Sequence, residues 1–323
     1  MNPMRRGFTL VEILVATSIF AVVSVAMIGI YATATDLVRL GESRRAAADE
    51  AAATLSMFDE DLRRIVPPEA GGFFFAAVPL HAPGPTQEIT WDPGGSMAIA
   101  FVISDPTGFT DRTAQPQLLV LWMVDKQDRL WRRVGNAPAV GQQIGASITT
   151  PRFNLVTTWF NEIAQPTPPA GWQPVAEGCQ LLAIDLRPAG ATAPVPAAGQ
   201  LYLTEPRTAT TTSDAFPDTV TLTVAFGGPA AHAPKGRIAS ANGDNFRVSG
   251  IKGITTDTWL RIKTPDTPER IEWFQAGLAG GGLLSRPSSP GPFGTFRTTP
   301  GTLKKGAEVL APSIYSLTRS VGR

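Results

Sequence analysis

Arg5-Arg6-Gly7-Phe8-Thr9-Leu10-Val11-Glu12 opens an apolar run that continues to Ile30. A basic pair stops at a glycine, and 23 residues carrying one charge, Glu12, begin at once. That length meets the roughly 20 apolar residues a membrane-crossing helix needs. Flanking cations such as Arg5 and Arg6 stay cytoplasmic, which sends the bulk of the chain to the other side. A carboxylate in such a span is costly, about 2.5–3.5 kcal/mol on insertion scales, and marks a functional site by default. Its placement about one helical turn from a possible new N-terminus suggests a free α-amino group as its partner.

Two simpler readings stay open. Ala32-Thr33-Ala34 could serve as the cleavage site of a secretory signal, although the apolar run exceeds the usual 7–15 residues. An unprocessed single-pass anchor fits the same hydropathy but gives Glu12 no partner.

From Asp36 the pattern turns amphipathic. Leu37, Leu40, Ala47, Ala51, Leu55, Phe58, Leu62 and Ile65 define one helical face. Asp49, Glu50, Asp59, Glu60, Arg63 and Arg64 lie opposite, with Asp59–Arg63 and Glu60–Arg64 as i,i+4 pairs worth a few tenths of a kcal/mol each. Pro67-Pro68 ends the helix. A continuous helix from Phe8 to Val66 would be about 88 Å long. A membrane anchor leading into a coiled-coil stalk is the alternative for this segment.

Beyond Pro68 the helical period vanishes. Ser96–Ser104, Gln117–Val124, Arg129–Val134, Cys179–Leu186, Thr219–Phe226, Phe246–Val248, Trp259–Ile262 and Ile271–Phe274 are expected strands. Asp125–Asp128 is expected to turn a hairpin. Ala164–Pro174, Pro188–Gly199 and Leu278–Thr299 are expected connectors.

Composition excludes several chemistries. The 323 residues hold one cysteine, Cys179, and two histidines, His81 and His232. There is no intrachain disulfide, no cysteine-built zinc site, and little material for a Ser–His or Cys–His catalyst. Cys179 is expected to be buried. Charge is nearly balanced, 28 Lys and Arg against 27 Asp and Glu, so no nucleic-acid partner is expected. Asp105, Asp111, Asp125 and Asp128 are read as turn acids, and no metal or cofactor is expected. Gly280-Gly281-Gly282 lacks the Lys-Ser or Lys-Thr pair of a phosphate loop. Trp122, Trp131, Trp159, Trp172 and Trp273 are read as core.

The run from Arg5 to Glu12 with its apolar continuation resembles the signature of type IV prepilins and type II secretion pseudopilins. The resemblance implies cleavage after Gly7 by a prepilin peptidase, N-methylation of Phe8, and pairing of Glu12 with the N-terminal amine of a neighbouring subunit. It also implies an inner-membrane assembly platform, other pilin-like subunits as partners, and membrane lipid around the helix before assembly. Ser56–Arg64 and the strand beginning Phe216-Pro217 resemble, more loosely, the layout of J-type minor pseudopilins and PilW-like minor pilins.

The expected fold is α+β and pilin-like. Residues 1–7 form a leader. Residues 8–66 form the helix, with 8–30 in the membrane. Residues 69–323 form a mainly antiparallel, β-rich extracytoplasmic head with large loop and β-rich insertions. The expected role is that of a non-enzymatic minor pilin or pseudopilin. A secreted or anchored β-rich binding domain is the alternative.

Overall fold

The computed structural model describes residues 9–68, 73–79, 96–105, 117–125, 127–140, 143–144, 147–148, 150–163, 170–191, 202–205, 214–227, 235–251, 254, 258–265, 270–279, 283–286 and 302–321. The long helix, α1, spans Leu10–Arg63. At about 1.5 Å per residue its 54 residues reach some 80 Å. It ends short of the expected Val66. Residues beyond Arg64 join a sheet: the Val66 N–H donates to the Val102 carbonyl (2.9 Å), and Arg64 accepts from the Ser104 N–H (2.9 Å). Pro67 and Pro68 then prevent any return to helix.

The helix buries Ser43, Ala47, Ala51, Thr54, Phe58, Asp61 and Leu62. The expected face is therefore corrected at its start, because cover by the head begins only near Ser43. Leu37 remains exposed and Leu40 half-exposed. Both anticipated ion pairs form, Asp59 with Arg63 and Glu60 with Arg64.

The remaining elements run in chain order. First come β1 (Phe75–Pro79), β2 (Met97–Ser104), β3 (Gln117–Val124), β4 (Arg129–Asn136), β5 (Gln143–Ile144), β6 (Ser147–Ile148) and α2 (Pro151–Ile163). Then follow β7 (Trp172–Glu177), β8 (Cys179–Pro188), β9 (Tyr202–Leu203), β10 (Pro217–Phe226), β11 (Lys235–Asn242) and β12 (Asn245–Ser249). Last are β13 (Trp259–Thr264), β14 (Arg270–Gln275), β15 (Gly277–Ala279), β16 (Leu283–Ser285), β17 (Glu308–Leu310) and β18 (Ser313–Ser320).

A six-stranded sheet, ordered β7-β4-β3-β2-β1-β9, forms the middle layer. One face packs Phe75, Ile99, Phe101, Val120 and Trp122 against α1 and the three-stranded sheet β18-β10-β8. The other packs Ala98, Ala100, Leu119, Leu121 and Met123 against Val156, Trp159 and Phe160 of α2. Cover on both faces explains why β2 and β3 read as unbroken apolar runs rather than alternating ones. The five tryptophans read as core are all buried.

Every expected strand forms, several with longer ends. The connectors need correction. Ala164–Pro174 contains the start of β7, whose Pro174 is tolerated on an edge strand where one ladder donor can be missing. Pro188 belongs to β8, and β15 with β16 interrupts Leu278–Thr299. The sequence reading also missed α2. Its Pro151 suits a first helical turn, but Val156, Thr157, Thr158 and Trp159 favour extended backbone. It missed β11 and β18 as well, whose outward positions are small or polar.

The acids at Asp125–Asp128 build the expected turn. Asp125 accepts from the Gln127 and Arg129 N–H groups (2.8 and 2.9 Å) and from the Trp131 indole (2.8 Å). Asp128 takes φ 60° and pairs with Arg261 of β13 at 2.9 Å. Among the described residues no three His, Cys, Asp or Glu side chains cluster as metal ligands. Asp111, His81, His232 and Gly280–Gly282 lie outside the described residues.

The third sheet has seven strands, β14-β13-β17-β11-β12-β16-β15. Its two edge strands, β14 and β15, are separated in the chain by Ala276 alone. The sheet must therefore curl until its edges meet, enclosing Ile238, Phe246, Leu260, Ile262, Phe274 and Val309 as a core of its own. Arg286, just after β16, clasps Glu272 of β14 (2.7 Å) and Asp244 of the β11–β12 turn (2.8 Å). This small barrel interrupts a continuous ladder, since β10 and β18 pair directly from Thr219↔Ser320 to Phe226↔Ser313.

Two strands approach closely at Gly236. A Cβ there would lie 2.5 Å from the Ser249 carbonyl oxygen and 2.8 Å from Ile251 Cγ1. Gly236→Ala is expected to destabilise the barrel by about 1–3 kcal/mol, the range for overpacking. Hydrogen exchange should accelerate in β11 and β12 and stay unchanged in β2 and β3.

Candidate assembly site at the helix N-terminus

The apolar half of α1 projects free of the head. Leu10, Ile13, Leu14, Ile19, Val22 and Val23 are all exposed, on every side of the helix. It is the one helix among the described residues long and apolar enough to cross a membrane, and none of its most apolar stretch is buried. A helix apolar all round needs lipid or other helices to cover it. Its hydroxyls suit such surroundings. Thr17 and Ser18 donate to the Leu14 carbonyl (3.0 and 2.8 Å), Thr33 to Gly29 (2.9 Å) and Thr35 to Tyr31 (2.9 Å). Each of these four hydroxyls is satisfied inside its own helix and presents no unpaired donor to an apolar neighbour.

Glu12 is the only charged residue between Thr9 and Thr35. It is the third residue of α1 and closes a capping box with Thr9. The Thr9 hydroxyl accepts from the Glu12 N–H (3.2 Å), while Glu12 Oε2 accepts from the Thr9 N–H (2.9 Å) and hydroxyl (3.0 Å). Two of the four unsatisfied N–H groups at the helix start are thereby paired, and the carboxylate sits at the positive end of the helix dipole. The spacing Thr9-x-x-Glu12 is a recognised capping signature that the charge-centred sequence reading passed over. Its consequence is that Glu12 in the single subunit is already held by its own chain.

The other two residues of the expected site, Gly7 and Phe8, lie outside the described residues, as do Arg5 and Arg6. Cys179 is fully buried, and burial pushes its thiol far up, with Asp128 adding to the effect. Such a sulfur is a core atom and no nucleophile at neutral pH.

A family profile described as the prokaryotic N-terminal methylation motif matches residues 2–28. The stretch contains Gly7, Phe8 and Glu12. No curated protein and no solved structure matches the chain.

Proposed function

We propose that the chain is a structural subunit of a type IV pilus or type II secretion-like filament, in the role of a minor pilin or pseudopilin, and not an enzyme. The methylation motif over residues 2–28 carries this reading. The exposed apolar helix behind the motif supports it, because the helix must be covered by bilayer first and by neighbouring helices later. Residues 1–7 are the leader. The mature chain begins at Phe8 with residues 8–30 in the inner membrane, and the head from residue 69 onward lies outside the cytoplasm. A prepilin peptidase cuts after Gly7, Phe8 is methylated, and an assembly platform passes the subunit from lipid into the filament. Size and the inserted barrel favour a position near the filament tip.

The chemistry of assembly rests on Glu12. In a dry helix bundle its charge is tolerated only when paired. The positive amine of a neighbouring Phe8 supplies that partner. Pairing requires the carboxylate to leave or share its Thr9 contacts, so Glu12 exchanges a local cap for an intermolecular bond. This fixes register between apolar helices that would otherwise slide, as single polar residues do at helix seams.

Mass spectrometry of the protein purified from its native host tests the reading. The expected N-terminus is methylated Phe8. An N-terminus at Thr35 would assign an ordinary secretory signal, and an intact Met1 a plain anchor.

A further inference from the structure

The barrel has a charge character opposite to the rest of the chain. Positions 235–310 hold 11 Lys and Arg against 6 Asp and Glu, leaving 17 against 21 elsewhere. The outward side of the β11–β12 hairpin shows where the excess lies. Lys235, Arg237 and Arg247 are exposed there, accompanied by Ser240 and Ser249. The exposed Lys304-Lys305 turn is tied to the same strand: the Gly306 N–H donates to the Ile238 carbonyl (2.8 Å), and the Ile238 N–H donates to Ala307 (2.9 Å). Two acids lie nearby: Glu308 sits opposite Arg237 in the register, and Asp244 in the β11–β12 turn is held by Arg286.

The placement of the barrel along α1 gives this face a direction. At one end of the β10–β18 ladder, Arg319 meets Asp59 at 3.1 Å. At the other end Phe226 pairs with Ser313 and with Cys179. The buried stretch of α1 runs from Ser43 to Leu62, and Asp59 lies near its far end, so the ladder runs back from Asp59 along the helix toward Ser43. The chain therefore enters and leaves the barrel at the end of the head facing the apolar half of the helix, and Asp128 holds Arg261 of the barrel there. From Ile30 to Glu50 the helix rises only about 30 Å, comparable to the span of a small domain.

We propose that the Lys235, Arg237, Arg247, Lys304 and Lys305 face docks on anionic phospholipid of the bilayer that α1 spans. The proposal rests on the membrane-anchored reading above. A Lys or Arg close to an anionic bilayer surface gains about 1 kcal/mol from acidic headgroups, so five on one face add up to a substantial attraction. The attraction falls off within a Debye length of roughly 8 Å, so it acts only on a face held beside the membrane. The exposed residues of β11 and β12 include no aromatic side chain, so the stacking platform of single-stranded nucleic-acid binders is missing from this hairpin. Docking would hold the head down on the bilayer until extraction into a filament breaks both contacts together.

The full-length mature chain in nanodiscs tests this. Discs of phosphatidylcholine are compared with discs of phosphatidylcholine and phosphatidylglycerol, using an amine-reactive, membrane-impermeant label read by mass spectrometry. Labelling of Lys235, Lys304 and Lys305 is expected to fall at least about threefold in the anionic discs and to recover in high salt. The double variant Arg237→Glu/Lys305→Glu, whose changes lie at the surface, should abolish the protection of Lys235 and Lys304. Equal labelling in both kinds of disc overturns the proposal. So does protection produced in neutral discs by an added oligonucleotide, which would assign the face to nucleic acid. Failure of the chain to enter neutral discs would refute the anchor itself, a result separable from the labelling.

Discussion

Asp61→Ala is expected to cost the head about 3–5 kcal/mol, the range for removing one partner of a buried ion pair. Asp61 is 3% exposed and lies on the helix face that packs against the head. Its two oxygens receive Arg132 Nη2 (2.7 Å) and Nε (2.8 Å), and Oδ2 also accepts the Trp122 indole N–H (2.9 Å). Arg132 stacks over the Trp122 ring at 5.8 Å, and Phe58, one turn earlier, meets that ring edge-on at 5.5 Å. Loss of the carboxylate strands a guanidinium and an indole donor in the core. Asp61→Asn separates the two contributions, since the amide oxygen can still accept from Trp122 while the charge is gone. If the ion pair dominates, Asn should be nearly as harmful as Ala. Replacing Asp61 and Arg132 together by apolar residues should recover much of the loss. Urea unfolding followed by tryptophan fluorescence reads all three variants. A loss below about 1 kcal/mol for Asp61→Ala would show that the contact behaves like a surface pair.

The second large effect is expected at Glu12, in assembly rather than folding. Glu12→Ala should leave the leader cut and the head intact, yet lower incorporation into filaments by roughly 100-fold or more. That factor corresponds to about 3 kcal/mol, the lower end of the cost of stranding a buried charge. The capping box makes a sharper experiment possible. Glutamine also serves at the third helical position of such a box, so Glu12→Gln keeps the local cap and removes the charge. Assembly that fails in both variants ties the function to the charge. Normal assembly of Glu12→Gln would reduce Glu12 to a helix cap. The readouts are N-terminal processing by mass spectrometry and the share of subunit in sheared filaments.

The parts that sequence made legible share a physical property: their chemistry is local. The Arg5–Glu12 junction needs no distant partner to be recognised, and strands buried on both faces announce themselves as apolar runs. The concealed parts depend on residues far apart in the chain. Asp61 looks like one more acid beside Asp59 and Glu60, and only Trp122 and Arg132, 61 and 71 positions away, turn it into a core residue. Strand β18 shows Ser316, Thr318 and Ser320 to solvent and half-buries Tyr315, Leu317 and Arg319, so its apolar signal is thin. Barrel closure is invisible for another reason. Edge strands β14 and β15 are one residue apart in sequence, which reads as a single strand with a kink until their separate neighbours are known.

The position of the barrel has an evolutionary corollary. Its entry and exit are neighbours, because Phe226 and Ser313 face each other across one ladder. A short turn joining those two residues would restore an unbroken hairpin beneath α1. Gain, loss or exchange of the unit would leave the Asp61 anchor in place but would have to re-cover the seam where Ile271 and Trp273 join the main core and Arg261 meets Asp128. Diversification of that surface would then act far from the Glu12 end of the helix, on which the proposed assembly depends.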